Sequence, residues 1–77
     1  MPTIWREDGF EIRVYPNDHE PAHVHVINSE GELKVQIKEA VLPLANWGMK
    51  EKDAAKACSL VNKCRKQLLK AWEDIHG

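Results

Sequence analysis

Residues 22–38, AHVHVINSEGELKVQIK, decide the fold. On either side of Asn28-Ser29-Glu30-Gly31, apolar and polar residues alternate. Val24 and Val26 oppose His23, His25 and Ile27; Leu33, Val35 and Ile37 then oppose Lys34, Gln36 and Lys38. Successive side chains of a strand point to opposite faces, so a period of two predicts two strands, each with an apolar and a polar face. The Asn-Ser-Glu-Gly cluster between them reads as a turn. Strands are expected over residues 22–27 and 32–38.

Toward the N-terminus the same period returns in residues 10–15, FEIRVY, with Phe10, Ile12 and Val14 on one face and Glu11, Arg13 and Tyr15 on the other. Asp8-Gly9 suits a two-residue hairpin turn, whose central residues need positive φ. This predicts strands over residues 3–6 and 10–15. Pro16-Asn17-Asp18 reads as a turn, and Pro21 fits just before the next strand. A short strand over residues 41–44 is expected only at a sheet edge, because Pro43 cannot donate to a ladder.

Toward the C-terminus the period changes. Over residues 49–75, Ala54, Ala57, Val61, Cys64, Leu68, Trp72 and Ile75 fall in one stripe of a helix. Lys52, Lys56, Lys63, Lys66 and Lys70 form a second stripe on the far side. His76 and Gly77 suit a helix end, as a cation near the dipole and a C-cap. The expectation is one α+β domain over residues 1–77. Its form is a two-layer sandwich, a mainly antiparallel sheet of four or five strands packed on one long C-terminal helix. Trp5, Trp47 and Trp72 are expected in or at the edge of its core.

Composition agrees with a single small globular domain: 77 residues, 43% hydrophobic, 30% charged, net charge -1. No apolar run reaches membrane-spanning length, and the start MPTIWRED lacks the apolar core of a signal peptide. The expected location is the cytoplasm, with no membrane contact. Cys58 and Cys64 would sit roughly 9 Å apart along one helix, beyond disulfide reach, and lack Cys-x-x-Cys spacing. Free thiols are expected. Charge is unevenly shared, -4 over residues 1–49 and +3 over residues 50–77. The lysine stripe reads first as solvated surface and second as a phosphate-contacting face for nucleic acid. No aromatic residue lies between those lysines to stack on bases.

Chemistry concentrates in DHEPAHVHV, residues 18–26. His23 and His25, two apart on a strand, project from one face and can share an ion, with His19 or Asp18 as a third ligand. Zinc, nickel or iron(II) suits such a nitrogen and oxygen set. Asp18 also suits a turn that bonds backbone amides. With the helix on one face of the sheet, Glu11, Arg13, Tyr15, His23 and His25 would share the uncovered face. These include the acid, base and cation types that metal-free RNA cleavage needs, although an exposed antiparallel face is ordinarily polar.

Three stretches resemble a known family: Met1-Pro2-Thr3-Ile4, Asp18-His19-x-Pro21-x-His23-x-His25-Val26, and Leu68-Leu69-x-x-Trp72-x-x-Ile75-His76-Gly77. Together they are similar to domain-of-unknown-function family 4160, short bacterial and archaeal proteins. The resemblance implies a one-domain cytoplasmic protein, often encoded beside a second small protein in a manner reminiscent of toxin–antitoxin pairs. It brings no catalytic residue set. The leading expectation is a small binding module with a protein partner, working through residues 18–26 and the open sheet face. The runner-up is a small enzyme on that surface, either metal-dependent through His19, His23 and His25 or a metal-independent ribonuclease.

Overall fold

The computed structural model describes residues 3–76. Met1, Pro2 and Gly77, and with them the expected C-cap, lie outside the described residues. The elements run β1 (Thr3–Glu7), β2 (Phe10–Arg13), β3 (His23–Ile27), β4 (Glu32–Gln36), β5 (Leu42–Trp47), α1 (Glu51–Lys63) and α2 (Arg65–His76). The strands form one antiparallel sheet in the order β1-β2-β3-β4-β5. Each strand therefore pairs with its neighbour in sequence, as short polar turns between alternating segments dictate.

Asp8 and Gly9 take φ values of 55° and 81°, the positive pair that a two-residue turn between β1 and β2 requires. Gly31, just before β4, answers a different need. A Cβ there would collide with the Trp47 carbonyl and the Gly48 backbone, so the close approach of these two segments excludes any side chain. Asn46 ties the end of β5 to the following turn. Its Nδ2 donates to the Met49 carbonyl and its Oδ1 accepts from the Met49 amide, both at 2.9 Å.

Registers place the apolar residues of adjacent strands side by side: Ile12 opposite Val26, Val24 opposite Val35, Val26 opposite Leu33. With Phe10, Val14 and Ile37 they join Ala57, Leu60, Val61, Cys64, Leu68 and Trp72 in one buried cluster. Hydrophobic burial of this face against the helical stripe holds the domain together. Both cysteines are free, and burial pushes their thiols above the usual range.

Two expectations change. In place of one long helix there are two, separated at Cys64 (φ -100°, ψ 10°). A straight helix over residues 51–76 would be about 39 Å long at 1.5 Å per residue, whereas the molecule's longest dimension is 33 Å. Helical hydrogen bonds continue up to and away from the break: the Cys64 amide donates to the Leu60 carbonyl and the Leu68 amide to the Cys64 carbonyl, each at 3.0 Å. Trp47 also departs from its expected place. It lies exposed on β5, as do Leu42 and Leu44, whereas Trp72 is buried and Trp5 packs against the core. Pro43 does sit in an edge strand, and β5 extends to Trp47 with a bulge opposite Lys34 and Val35. Among the described residues no helix is long and apolar enough to cross a membrane.

Candidate metal centre

Tyr15 to Asp18 form a tight turn, closed by the Asp18 amide donating to the Tyr15 carbonyl at 3.0 Å. The Asp18 carboxylate folds back, its Oδ2 accepting from the Tyr15 amide at 3.3 Å. The turn role read from the sequence is thus filled, but the same oxygen has other neighbours. It lies 3.3 Å from His23 Nε2 and 3.3 Å from His25 Nε2. Both histidines come from β3, two residues apart, so strand alternation aims them the same way.

Hydrogen bonds to the other ring nitrogens define what those atoms can do. His23 Nδ1 lies 2.8 Å from the Pro21 carbonyl and His25 Nδ1 2.8 Å from Glu32 Oε2. Carbonyl and carboxylate oxygens only accept, so each Nδ1 carries the hydrogen. In the neutral rings each Nε2 then presents a lone pair. Three acceptors face one another, with ligand atoms all within 4.8 Å. His25 Nε2 is buried and has no hydrogen-bond partner. An orphaned buried acceptor is costly; a cation between the three groups relieves it.

Two of the three ligand-to-ligand edges fit such an ion. With zinc-to-ligand bonds of about 2.0–2.1 Å, the edge of a tetrahedron is roughly 3.3–3.4 Å, and both Asp18-to-histidine edges measure 3.3 Å, with the three ligand atoms within 4.8 Å of one another. The hydrogen-bonded Nδ1 atoms supply the outer support that orients ligating imidazoles. The structure thus contains a candidate Asp/His/His metal site.

Surroundings correct parts of the sequence reading. His19, a candidate ligand, is exposed and stands outside the cluster, while its neighbour Asp18 is held inward by the turn. His23 does not lie on an open face: it is 3% exposed, with its ring centroid 5.3 Å from that of Trp72 on α2. His76, one turn further along α2, stacks on Trp72 with ring centroids 3.7 Å apart. The C-terminal helix therefore closes one flank of the site. Tyr15 closes another, edge-on to His25 at 4.7 Å.

Glu11 and Arg13, the remaining catalytic candidates, are engaged with each other rather than with the histidines. Glu11 Oε2 accepts from Thr3 Oγ1 at 2.6 Å and from Arg13 Nε at 2.5 Å. The Thr3 hydroxyl first, then Arg13, hold the Glu11 carboxyl below its usual range. Tyr15 and Glu11 together push the Arg13 guanidinium up. Glu32 and Trp72 are the site neighbours that sequence reasoning did not single out. Glu32 extends the polar alternation of Lys34, Gln36 and Lys38 by one step, and lies diagonal to His25 through its pairing with Ile27. The stripe lysines Lys52, Lys56, Lys63, Lys66 and Lys70 are all exposed; Lys63 is paired with Glu7 and Lys70 with Asp74.

The model of a family described as Domain of unknown function (DUF4160) matches residues 9–73, which include the whole site. No curated protein and no solved structure matches the chain.

Proposed function

We propose, for a chain that belongs to the DUF4160 family, that it is a small binding module built around a divalent transition-metal ion held by Asp18, His23 and His25. One observation carries this reading. Both Nδ1 hydrogens are committed to oxygen acceptors, so in the neutral rings two Nε2 lone pairs face one carboxylate oxygen at 3.3 Å. Nitrogen and oxygen ligands suit zinc, nickel or iron(II).

Three protein ligands leave a position open on a four-coordinate ion. In a binding module that position takes a group from another molecule, and a small protein partner of the toxin–antitoxin-like kind is the candidate. An enzyme would instead place water there. Metal-free RNA cleavage is the less supported reading, because Glu11 and Arg13, its candidate base and cation, neutralise each other.

The test is metal titration of protein purified without a histidine tag, followed by calorimetry and thermal melting. One equivalent of zinc, nickel or cobalt should bind, and zinc at a hundred times its Kd should add about 2.7 kcal/mol of stability. Asp18→Asn and His25→Ala, both less buried than His23, should lose that response and still fold. A thermal response absent in wild type, or unchanged in His25→Ala, would overturn the reading.

A further inference from the structure

His25 is flanked by two cations. Arg13 of β2 and Lys34 of β4 are its partners in register, one on each side, so all three side chains leave the same face of the sheet. Cross-strand partners on one face have Cβ atoms about 4.5–5.5 Å apart, and lysine, the longer side chain, reaches past the imidazole. Among the described residues Arg13 is paired with Glu11 and Glu32 with His25, whereas Lys34, half-buried, has no ion-pair partner. We infer that the open position of the ion proposed for Asp18, His23 and His25 takes an oxyanion, a carboxylate or a phosphoryl group, whose second oxygen accepts from the Lys34 ammonium. This rests on the ion being bound there.

Charge selects an anion. On this face of β1 to β4, the carboxylates of Glu11 and Glu32, with Asp18 beside them, meet the cations Arg6, Arg13 and Lys34. Arg6 is the register partner of Glu11 and lies 3.7 Å from it. The carboxylates and cations balance, so a divalent ion adds a double positive charge with no counterpart on this face among the described residues. A bound metal ion is often the largest local charge in a site. An anionic ligand reduces the excess, where a neutral one leaves it whole.

Hydrogen bonding selects oxygen. An ammonium offers three donors and no acceptor. A ligating imidazole would turn its remaining N–H outward and give Lys34 nothing to bond. A carboxylate or phosphoryl group ligates through one oxygen and keeps another for the lysine, in a charge-assisted bond of the stronger kind. The direction of entry agrees. Side-chain exposure rises from 4% for His23 to 12% for His25 and 18% for Asp18, because Trp72 closes the His23 end. A ligand therefore enters from the end of His25 and Asp18, and His25 is the residue that Lys34 adjoins.

Cobalt titration of the full chain comes first: a visible spectrum at one equivalent shows the ion bound, and its absence would overturn this inference together with the metal site. Methylphosphonate and acetate are then added separately to the cobalt-loaded protein, with imidazole as the neutral comparison. At least one oxyanion should shift the spectrum saturably in wild type, and the tighter of the two identifies the source as phosphoryl or carboxylate. Lys34→Gln should weaken that binding roughly tenfold and leave imidazole binding unchanged. It should hold cobalt no more weakly than wild type, because a neighbouring cation has gone. Lys34→Arg should restore most of the oxyanion affinity. A loaded site that takes neither oxyanion, or takes them equally well in Lys34→Gln, would overturn the inference and leave the metal site standing. So would a Lys34→Gln variant that loses cobalt in step, which would make the lysine structural.

Discussion

Arg65 Nε donates to the Ile37 carbonyl at 2.6 Å, joining the first residue of α2 to the chain just beyond β4. The bond starts one residue past the break at Cys64 and ties the beginning of the second helix to the sheet. Charged donors to buried or half-buried carbonyls contribute about 1.5–3 kcal/mol. Arg65→Ala should lower stability by about that amount in urea unfolding, with an unchanged m-value. A loss under about 0.5 kcal/mol would mean that the helix is seated by the core alone.

Glu32 supports His25 from outside the ligand set, accepting from its Nδ1 at 2.8 Å. Loss of such outer partners typically weakens metal affinity by about 10–100-fold. Glu32→Ala should show that weakening in zinc or cobalt titration, and Glu32→Gln, which retains an acceptor, a smaller one. An affinity unmoved by Glu32→Ala would reduce Glu32 to a strand neighbour.

Acid should reach the sheet through Glu7 and Glu11. Lys63 and then Trp5 hydrogen-bond Glu7, and Thr3 and then Arg13 hydrogen-bond Glu11. Both carboxyls are therefore held below the ordinary value of 4.5. A group whose folded pKa is depressed favours the folded state above its unfolded pKa, and that contribution is lost as pH falls through the folded value. The melting temperature should drop below about pH 4.5, and less steeply in Glu7→Gln/Glu11→Gln. Parallel curves for the two proteins would count against the assignment.

Gly31→Ala tests the seam between β4 and the end of β5. The added methyl would meet backbone, which cannot swing aside as a side chain can. Overpacking of this kind costs about 1–3 kcal/mol. A variant as stable as wild type in thermal melting would show that the seam opens freely.

Much of the fold is legible in the sequence because two periodicities share it. Phe10, Ile12, Val14, Val24, Val26, Leu33, Val35 and Ile37, expected on one sheet face, are all buried, as are Ala57, Val61, Cys64, Leu68 and Trp72 of the expected stripe. Leu60, outside that stripe, is buried as well. The bend at Cys64 leaves no mark, since the helical period runs through it. At the site, alternation pairs His23 with His25, and proximity in sequence suggests Asp18. Glu32 needs the register of β3 against β4, and the Trp72 contact needs α2 placed in space; neither is a local property. Trp47 misleads for the same reason: a large apolar residue looks like core until the strand bearing it proves to be an edge.

The charge split between the two halves of the chain becomes, in the folded molecule, an electric dipole. Residues 1–49 carry -4 and residues 50–77 carry +3, and the first group builds the sheet while the second builds the helices. A net charge of -1 hides this from any measurement that sees only the total. At physiological salt the screening length is about 8 Å, less than the molecule's smallest dimension of 19 Å. A charged body approaching one side therefore feels little of the other. The helices meet it as a cation and the sheet as an anion, so the protein's encounters are oriented at close range and increasingly steered as salt is lowered.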